Sequence, residues 1–265
     1  MTAHQQHPTP PTESVAGLGI SLTGHDKVVA LAGNPNTGKS TVFNRLTGLR
    51  QHTGNWPGKT VARAEGSFAH RGLRYKLVDL PGTYSLLSAS IDEEIARDFI
   101  LFGRPNCVLV LTDATALERN LNLVFQVLEI TDRVVVCVNL MDEAARKGLT
   151  VNAEQLSADL GVPAVCTTAR TGAGFDDLLD AIDGVVTGRI ETSPHCPPPP
   201  PELRQAVEQL TPLIEQVAPG VPNGRWIAYR LLEGDHRVRQ ALLACEFGQV
   251  VAQQAAPPSP DPTPI

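Results

Sequence analysis

Gly33-Asn34-Pro35-Asn36-Thr37-Gly38-Lys39-Ser40 sets two glycines, a lysine and a hydroxyl at the spacing G-x-x-x-x-G-K-[ST]. Glycines at these positions let backbone N–H groups turn inward around an anion, and the helix that should open at Lys39-Ser40-Thr41 adds the positive end of its dipole. The chemistry implied is a phosphate cradle. Lys39 would bridge the β- and γ-phosphates of a nucleotide, and the Ser40 hydroxyl would bind Mg²⁺.

Such a loop does not choose the base. Asp79-Leu80-Pro81-Gly82 lies about 40 residues after Lys39, at the end of the run LRYKLVDL. A D-x-x-G turn there would bring Asp79 near Mg²⁺ and the Gly82 amide to the γ-phosphate. Asn139-Leu140-Met141-Asp142 ends VVVCVNL in the manner of the N-K-x-D motif. The Asp142 carboxylate would accept from guanine N1–H and N2–H₂, which adenine cannot supply; a buried acceptor left unpaired is costly, so this is a filter for GTP over ATP. Thr168-Ala169-Arg170, at the end of AVCTT, resembles the S-A-[KR] loop whose Ala amide contacts guanine O6. Between the cradle and Asp79 lies His52-Thr53-Gly54-Asn55-Trp56-Pro57-Gly58-Lys59-Thr60, placed to be a nucleotide-responsive loop. Its Gly58, Lys59 and Thr60 would form the switch segment, with Thr60 as a second hydroxyl ligand to Mg²⁺.

These residues need rigid supports, and the pattern supplies them. Strand-like runs are expected at KVVALAG, Val61–Phe68, Leu73–Asp79, Cys107–Thr112, Arg133–Leu140 and Ala164–Thr168, with a turn at Arg71-Gly72. Helices are expected after Gly38 and over Ile91–Phe102, Leu117–Ile130, Ala153–Leu160 and Phe175–Val186. Apolar strands alternating with helices imply an α/β fold, a Ras-like P-loop architecture with a mostly parallel sheet covered on both faces and ligands at its strand carboxyl ends. The boundaries read as a leader over residues 1–25, a nucleotide-binding domain over 26–190, a Pro-rich stiff linker over 191–201, a small all-helical domain over 202–254 (helices Glu202–Val217, Arg225–Glu233 and Val238–Gln253), and a disordered tail over 255–265.

Composition narrows the partners. With 22 Lys+Arg against 28 Asp+Glu, the net charge of −6 disfavours a nucleic-acid surface. The five cysteines are scattered singly without a C-x-x-C pair and read as small buried hydrophobes in a reducing cytoplasm. No apolar run approaches the roughly 20 residues that cross a bilayer. The histidines form no i, i+4 pair, and Glu233 and Asp235 read as a helix end, so no intrinsic iron site is expected.

GNPNTGKST, GNWPGKTV, DLPGTYSL, NLMD and RWIAYRLLEGD together resemble the cytosolic amino-terminal part of bacterial ferrous iron transport protein B, the FeoB family, from about Lys27 to Gln253. The resemblance implies a G domain followed by an inhibitor-like helical segment that packs on it and slows nucleotide release. It implies slow GTP hydrolysis regulating Fe²⁺ movement by a membrane portion of the same transporter, and a place at the cytoplasmic face of the bacterial inner membrane. This chain itself is then expected to be soluble, as the leading part of such a protein or a stand-alone copy. Two positions depart from the general GTPase pattern: Leu140 stands where Lys is usual, which implies weaker affinity, and Thr83 stands where Ras-like enzymes have a water-orienting Gln. In several family members K⁺ stimulates hydrolysis through the Asn found here as Asn36. The competing readings are a free-standing GTPase of ribosome or RNA assembly, which would call for a basic accessory domain, and a scaffold that binds GTP without turnover. The sequence leaves homo-oligomerisation open.

Overall fold

The computed structural model describes residue 20 and residues 26–49, 51–87, 90–197, 199–219, 221 and 223–243. The chain divides into two compact units after Pro198. The first holds a seven-stranded sheet of order β2-β3-β4-β1-β5-β6-β7. β1 (Lys27–Gly33), β5 (Cys107–Asp113) and β6 (Val134–Asn139) are almost wholly buried, as their unbroken Val, Leu and Ala runs require of parallel strands covered on both faces. β4 (Leu73–Asp79) pairs parallel with β1, and β7 (Ala164–Cys166) parallel with β6. β3 (Ala62–His70) runs antiparallel to β4 through the expected turn, where Arg71 and Gly72 both take positive φ, 47° and 81°.

Helices α1 (Lys39–Thr47), α2 (Ile91–Gly103), α3 (Leu117–Ile130), α5 (Ala153–Leu160) and α6 (Phe175–Thr187) form where the 3.6-residue pattern places them. Local chemistry fixes their ends: the Ser90 side chain accepts from the Glu93 amide at the start of α2, and the Asn152 side chain accepts from the Gln155 amide at the start of α5. One core cluster joins Val29, Leu31, Leu77, Leu109 and Cys137 of the sheet to Phe43 of α1 and Leu178 and Ile182 of α6. The second unit holds α7 (Pro201–Val217), α8 (Gly224–Leu232) and α9 (His236–Leu243).

Several expectations are altered. β2 (Gln51–Asn55) adds a strand that periodicity could not reveal, because QHTGN has no apolar side chain. A short helix, α4 (Met141–Arg146), starts where Leu140, expected in the strand, turns to φ 64°. Ile20, inside the expected leader, is buried. Ser193 and His195, in the expected linker, donate backbone hydrogen bonds to Gly161 and Leu160 at the end of α5 and so belong to the first unit. The rest of the leader (residues 1–19 and 21–25), the continuation to Gln253 and the tail over 255–265 lie outside the described residues.

Candidate nucleotide site

Gly33 ends β1, and its successors form a loop before α1. Gly33 sits hard against β5: a Cβ there would lie 3.0 Å from the Cβ and carbonyl oxygen of Leu111. Asn36 and Gly38 both take positive φ, 68° and 83°. This alternation turns successive amides to one side, which is the geometry of an anion nest. No side chain caps α1, and the first backbone donations run from Thr41 and Val42 to Gly38, so the Lys39 and Ser40 amides keep their donors for a ligand. Thr37 folds inward, its hydroxyl donating to the Asn34 carbonyl at 2.8 Å. Asn36, Ser40 and Thr41 are exposed at the mouth, whereas Asn34 is buried and its side-chain amide finds no partner among the described residues.

Lys39 Nζ donates to Asp79 Oδ1 at 2.5 Å and to the Leu80 carbonyl at 2.8 Å. Burial raises the Asp79 carboxyl above its ordinary range, partly countered by Lys39. The groups assigned to phosphate and to Mg²⁺ thus face each other across the loop. Gly82 lies beside Pro35, and the Thr83 amide reaches the Gly33 carbonyl at 3.3 Å. The D-x-x-G turn therefore leans directly on the cradle. Thr83 itself is buried with its hydroxyl donated to the Ser85 carbonyl at 2.7 Å.

Asn139 is fully buried at the end of β6 and ties the site together. Its Nδ2 donates to the Thr37 carbonyl at 2.9 Å, and its Oδ1 accepts from the Ala169 amide at 3.0 Å and the Thr167 hydroxyl at 3.2 Å. Its Oδ1 and one Nδ2 hydrogen are spent internally, so Asn139 positions the phosphate loop against the Thr168–Arg170 loop, while the second Nδ2 hydrogen stays available beside Asp142. Gly38 must be glycine here: a Cβ would stand 2.5 Å from Asn139 Nδ2. Asp142 is partly exposed, and Arg170 NH2 approaches its Oδ2 at 3.2 Å.

Thr60 stands apart. It is exposed in the loop between β2 and β3, and it makes no hydrogen bond to Ser40 or Asp79. Gly58 takes φ 68°, and Lys59 pairs loosely with Glu94 at 3.4 Å. Three supporting residues escaped the motif search. Thr167 braces Asn139; Leu80 offers its carbonyl to Lys39; and Arg45 of α1 donates to the Thr171 carbonyl at 2.8 Å while its guanidinium lies 5.4 Å from the Phe175 ring centroid. Only the fold brings α1 to the loop after β7, so nothing in the local sequence marks Arg45.

The hydroxyls of Ser40 and Thr60 and the Asp79 carboxylate are hard oxygen donors of the kind Mg²⁺ prefers. Asp79 is paired with Lys39, the residue preceding Ser40, so the carboxylate would have to exchange that partner for the ion. Thr60 must travel to join them. Among the described residues no cluster of His, Cys, Asp and Glu could hold a metal of its own.

Residues 27–182 match the family model described as ferrous iron transport protein B, and residues 200–256 match the FeoB cytosolic helical domain. The chain is 38% identical over 249 residues to an Fe(2+) transport protein A/Fe(2+) transporter FeoB fusion protein of Porphyromonas gingivalis, covering 90% of this chain and 30% of that protein. It therefore spans less than a third of that curated relative's length. Among solved structures, the cytosolic domain of the T. maritima FeoB iron transporter in GMPPNP form aligns with TM-score 0.76 at 31% identity over 86% of this chain and 94% of that one. The isolated G domain of the same transporter is 42% identical with TM-score 0.58, over 61% of this chain and 99% of that one.

Proposed function

Because the chain belongs to the ferrous iron transport protein B family, we propose that it binds GTP and GDP, hydrolyses GTP slowly, and regulates a ferrous iron transporter from the cytoplasmic face of the membrane. Among the described residues no helix is long and apolar enough to cross a bilayer, so the iron path belongs to membrane segments that the far longer relatives have room for. The observation that carries this reading is the Asn139 tie. One buried amide fixes the phosphate loop, through Thr37, in register with the loop that should read the base, through Ala169.

Binding begins with exchange of partners. The incoming phosphates take Lys39 from Asp79 and the Leu80 carbonyl, and fill the nest between Asn36 and Ser40. Asp142 then accepts from the guanine edge, with the Ala169 amide beside O6. Bound Mg²⁺, held by Ser40, Asp79 and Thr60, would neutralise charge on the β- and γ-phosphates. Hydrolysis is slow because the residue after D-L-P-G cannot orient water: the Thr83 hydroxyl is buried and committed to Ser85.

Titration with fluorescent guanine and adenine nucleotides tests the reading. GTP and GDP should bind at least 100-fold tighter than ATP, the order of discrimination expected where a buried acceptor is left unpaired. Comparable affinities for the two bases would refute the assignment. Asp142→Asn should erase the preference for guanine and favour xanthine nucleotides, whose extra carbonyl accepts from the new amide.

A further inference from the structure

The segment between β2 and β3 is folded by one residue. In Trp56-Pro57-Gly58-Lys59 the Lys59 amide donates to the Trp56 carbonyl at 3.0 Å, with Pro at the second position and Gly58 at φ 68° at the third, which is a type II turn. The Trp56 amide donates in turn to the Val61 carbonyl at 3.0 Å, closing the hairpin. Every described side chain of β2 is exposed, yet Trp56 is buried at 5%. Its ring meets Phe99 of α2 edge-on, with centroids 5.5 Å apart, and the Arg63 guanidinium lies 5.5 Å from its centroid.

Both walls of this slot matter. Phe99 is core, but Arg63 belongs to a charged group: Glu65 pairs with Arg63 at 2.8 Å and with Lys76 at 2.6 Å. A slot with one ionic wall tolerates water when the ring leaves, unlike an all-apolar pocket. Trp56 Nε1–H has no acceptor among the described residues. Release to solvent gives that donor a water partner, which offsets part of the gain from burying the ring. The side chain is therefore held well enough to fix the hairpin and loosely enough to let go.

We propose that Trp56 is a latch: seated between Phe99 and Arg63, it keeps the β2–β3 hairpin zipped and Thr60 exposed at its tip, and Thr60 reaches the nucleotide only when the indole leaves the slot. The strand it guards pairs with β3 through its backbone, but its described side chains are exposed and give little to hold its register. The side-chain tether from Lys59 to Glu94 at 3.4 Å is a long, partly exposed pair of small value. Trp56 is a positioning residue, acting on the nucleotide through Thr60. The inference rests on the proposed nucleotide binding.

The chain has two tryptophans, and the other, Trp226, is buried in the helical unit. Trp226→Phe leaves Trp56 as the sole reporter. Its emission should be blue and poorly quenched by acrylamide with GDP. With GMPPNP and Mg²⁺ it should shift to the red and become several-fold more quenchable. In the added variant Thr60→Ala, GMPPNP should bind while Trp56 stays blue. Trp56→Phe should shift relative affinity toward GMPPNP over GDP by roughly ten-fold, about 1.4 kcal/mol, with a normal thermal transition showing that the fold survives. GMPPNP that displaces a fluorescent GDP yet leaves Trp56 emission and quenching unchanged overturns the latch. Failure of that displacement itself would instead sink the nucleotide reading.

Discussion

We propose that Asn36 is the residue on which catalysis by this site turns. Phosphoryl transfer spreads negative charge over the γ-phosphoryl and bridging oxygens, and Lys39 with Mg²⁺ supplies only part of the counter-charge. Thr83 is sequestered. Asn36 stands exposed at φ 68° in the rim of the nest, with a side-chain carbonyl free to hold a monovalent cation against the phosphates. Single-turnover hydrolysis should therefore run faster in KCl than in NaCl at equal ionic strength, and Asn36→Ala should remove the difference. Equal wild-type rates in the two salts would leave Asn36 a turn residue.

At the scale of elements, the end of the sheet far from the nucleotide is tied by charge. The buried Tyr75 hydroxyl of β4 donates to Asp183 Oδ1 of α6 at 2.7 Å, and Arg189 reaches Asp183 Oδ2 at 3.0 Å. Burial pushes the Asp183 carboxyl up, but the hydrogen bonds from Tyr75 and Arg189 outweigh it and hold the group below its usual range. A depressed carboxyl stabilises the fold above its unfolded value, near pH 4, and this contribution disappears as pH falls through the lower folded value. Tyr75→Phe should cost about 1–2 kcal/mol at pH 7, and less as pH drops below about 4. Urea denaturation at both pH values measures this. A loss of equal size at each would mean that the hydroxyl acts by packing alone.

The molecule as a whole joins a nucleotide unit to a helical unit with its own buried residues, Val207, Ile214, Trp226 and Ile227. We propose that the helical unit slows nucleotide release. Ending the chain at Pro198 should accelerate GDP dissociation several-fold in stopped flow, and the shortened protein should keep its cooperative thermal transition. An unchanged rate would assign the helices another task, such as spacing the nucleotide unit from the membrane.

The sequence by itself determined the strands, β2 apart, and it named the candidate nucleotide residues at their ends. Phosphate cradles, D-x-x-G turns and buried parallel strands depend on local backbone freedom and on unbroken apolar runs, and both are written in neighbouring residues. The tertiary structure decided what depends on distant residues meeting. The Asn139 motif pointed to the base, and only the fold shows that its side chain also ties Thr37, Thr167 and Ala169 together, residues that lie far from it in the chain. Arg45 had no motif to announce it. β2 was invisible because its hydrogen bonds come from β3 and its own side chains bury nothing. Trp56 was legible only as an aromatic in a loop of glycine and proline. Its burial between Phe99 and Arg63 arises because the sheet and α2 close a slot around it, and no periodicity in the sequence encodes a slot whose walls are 43 and 7 residues away.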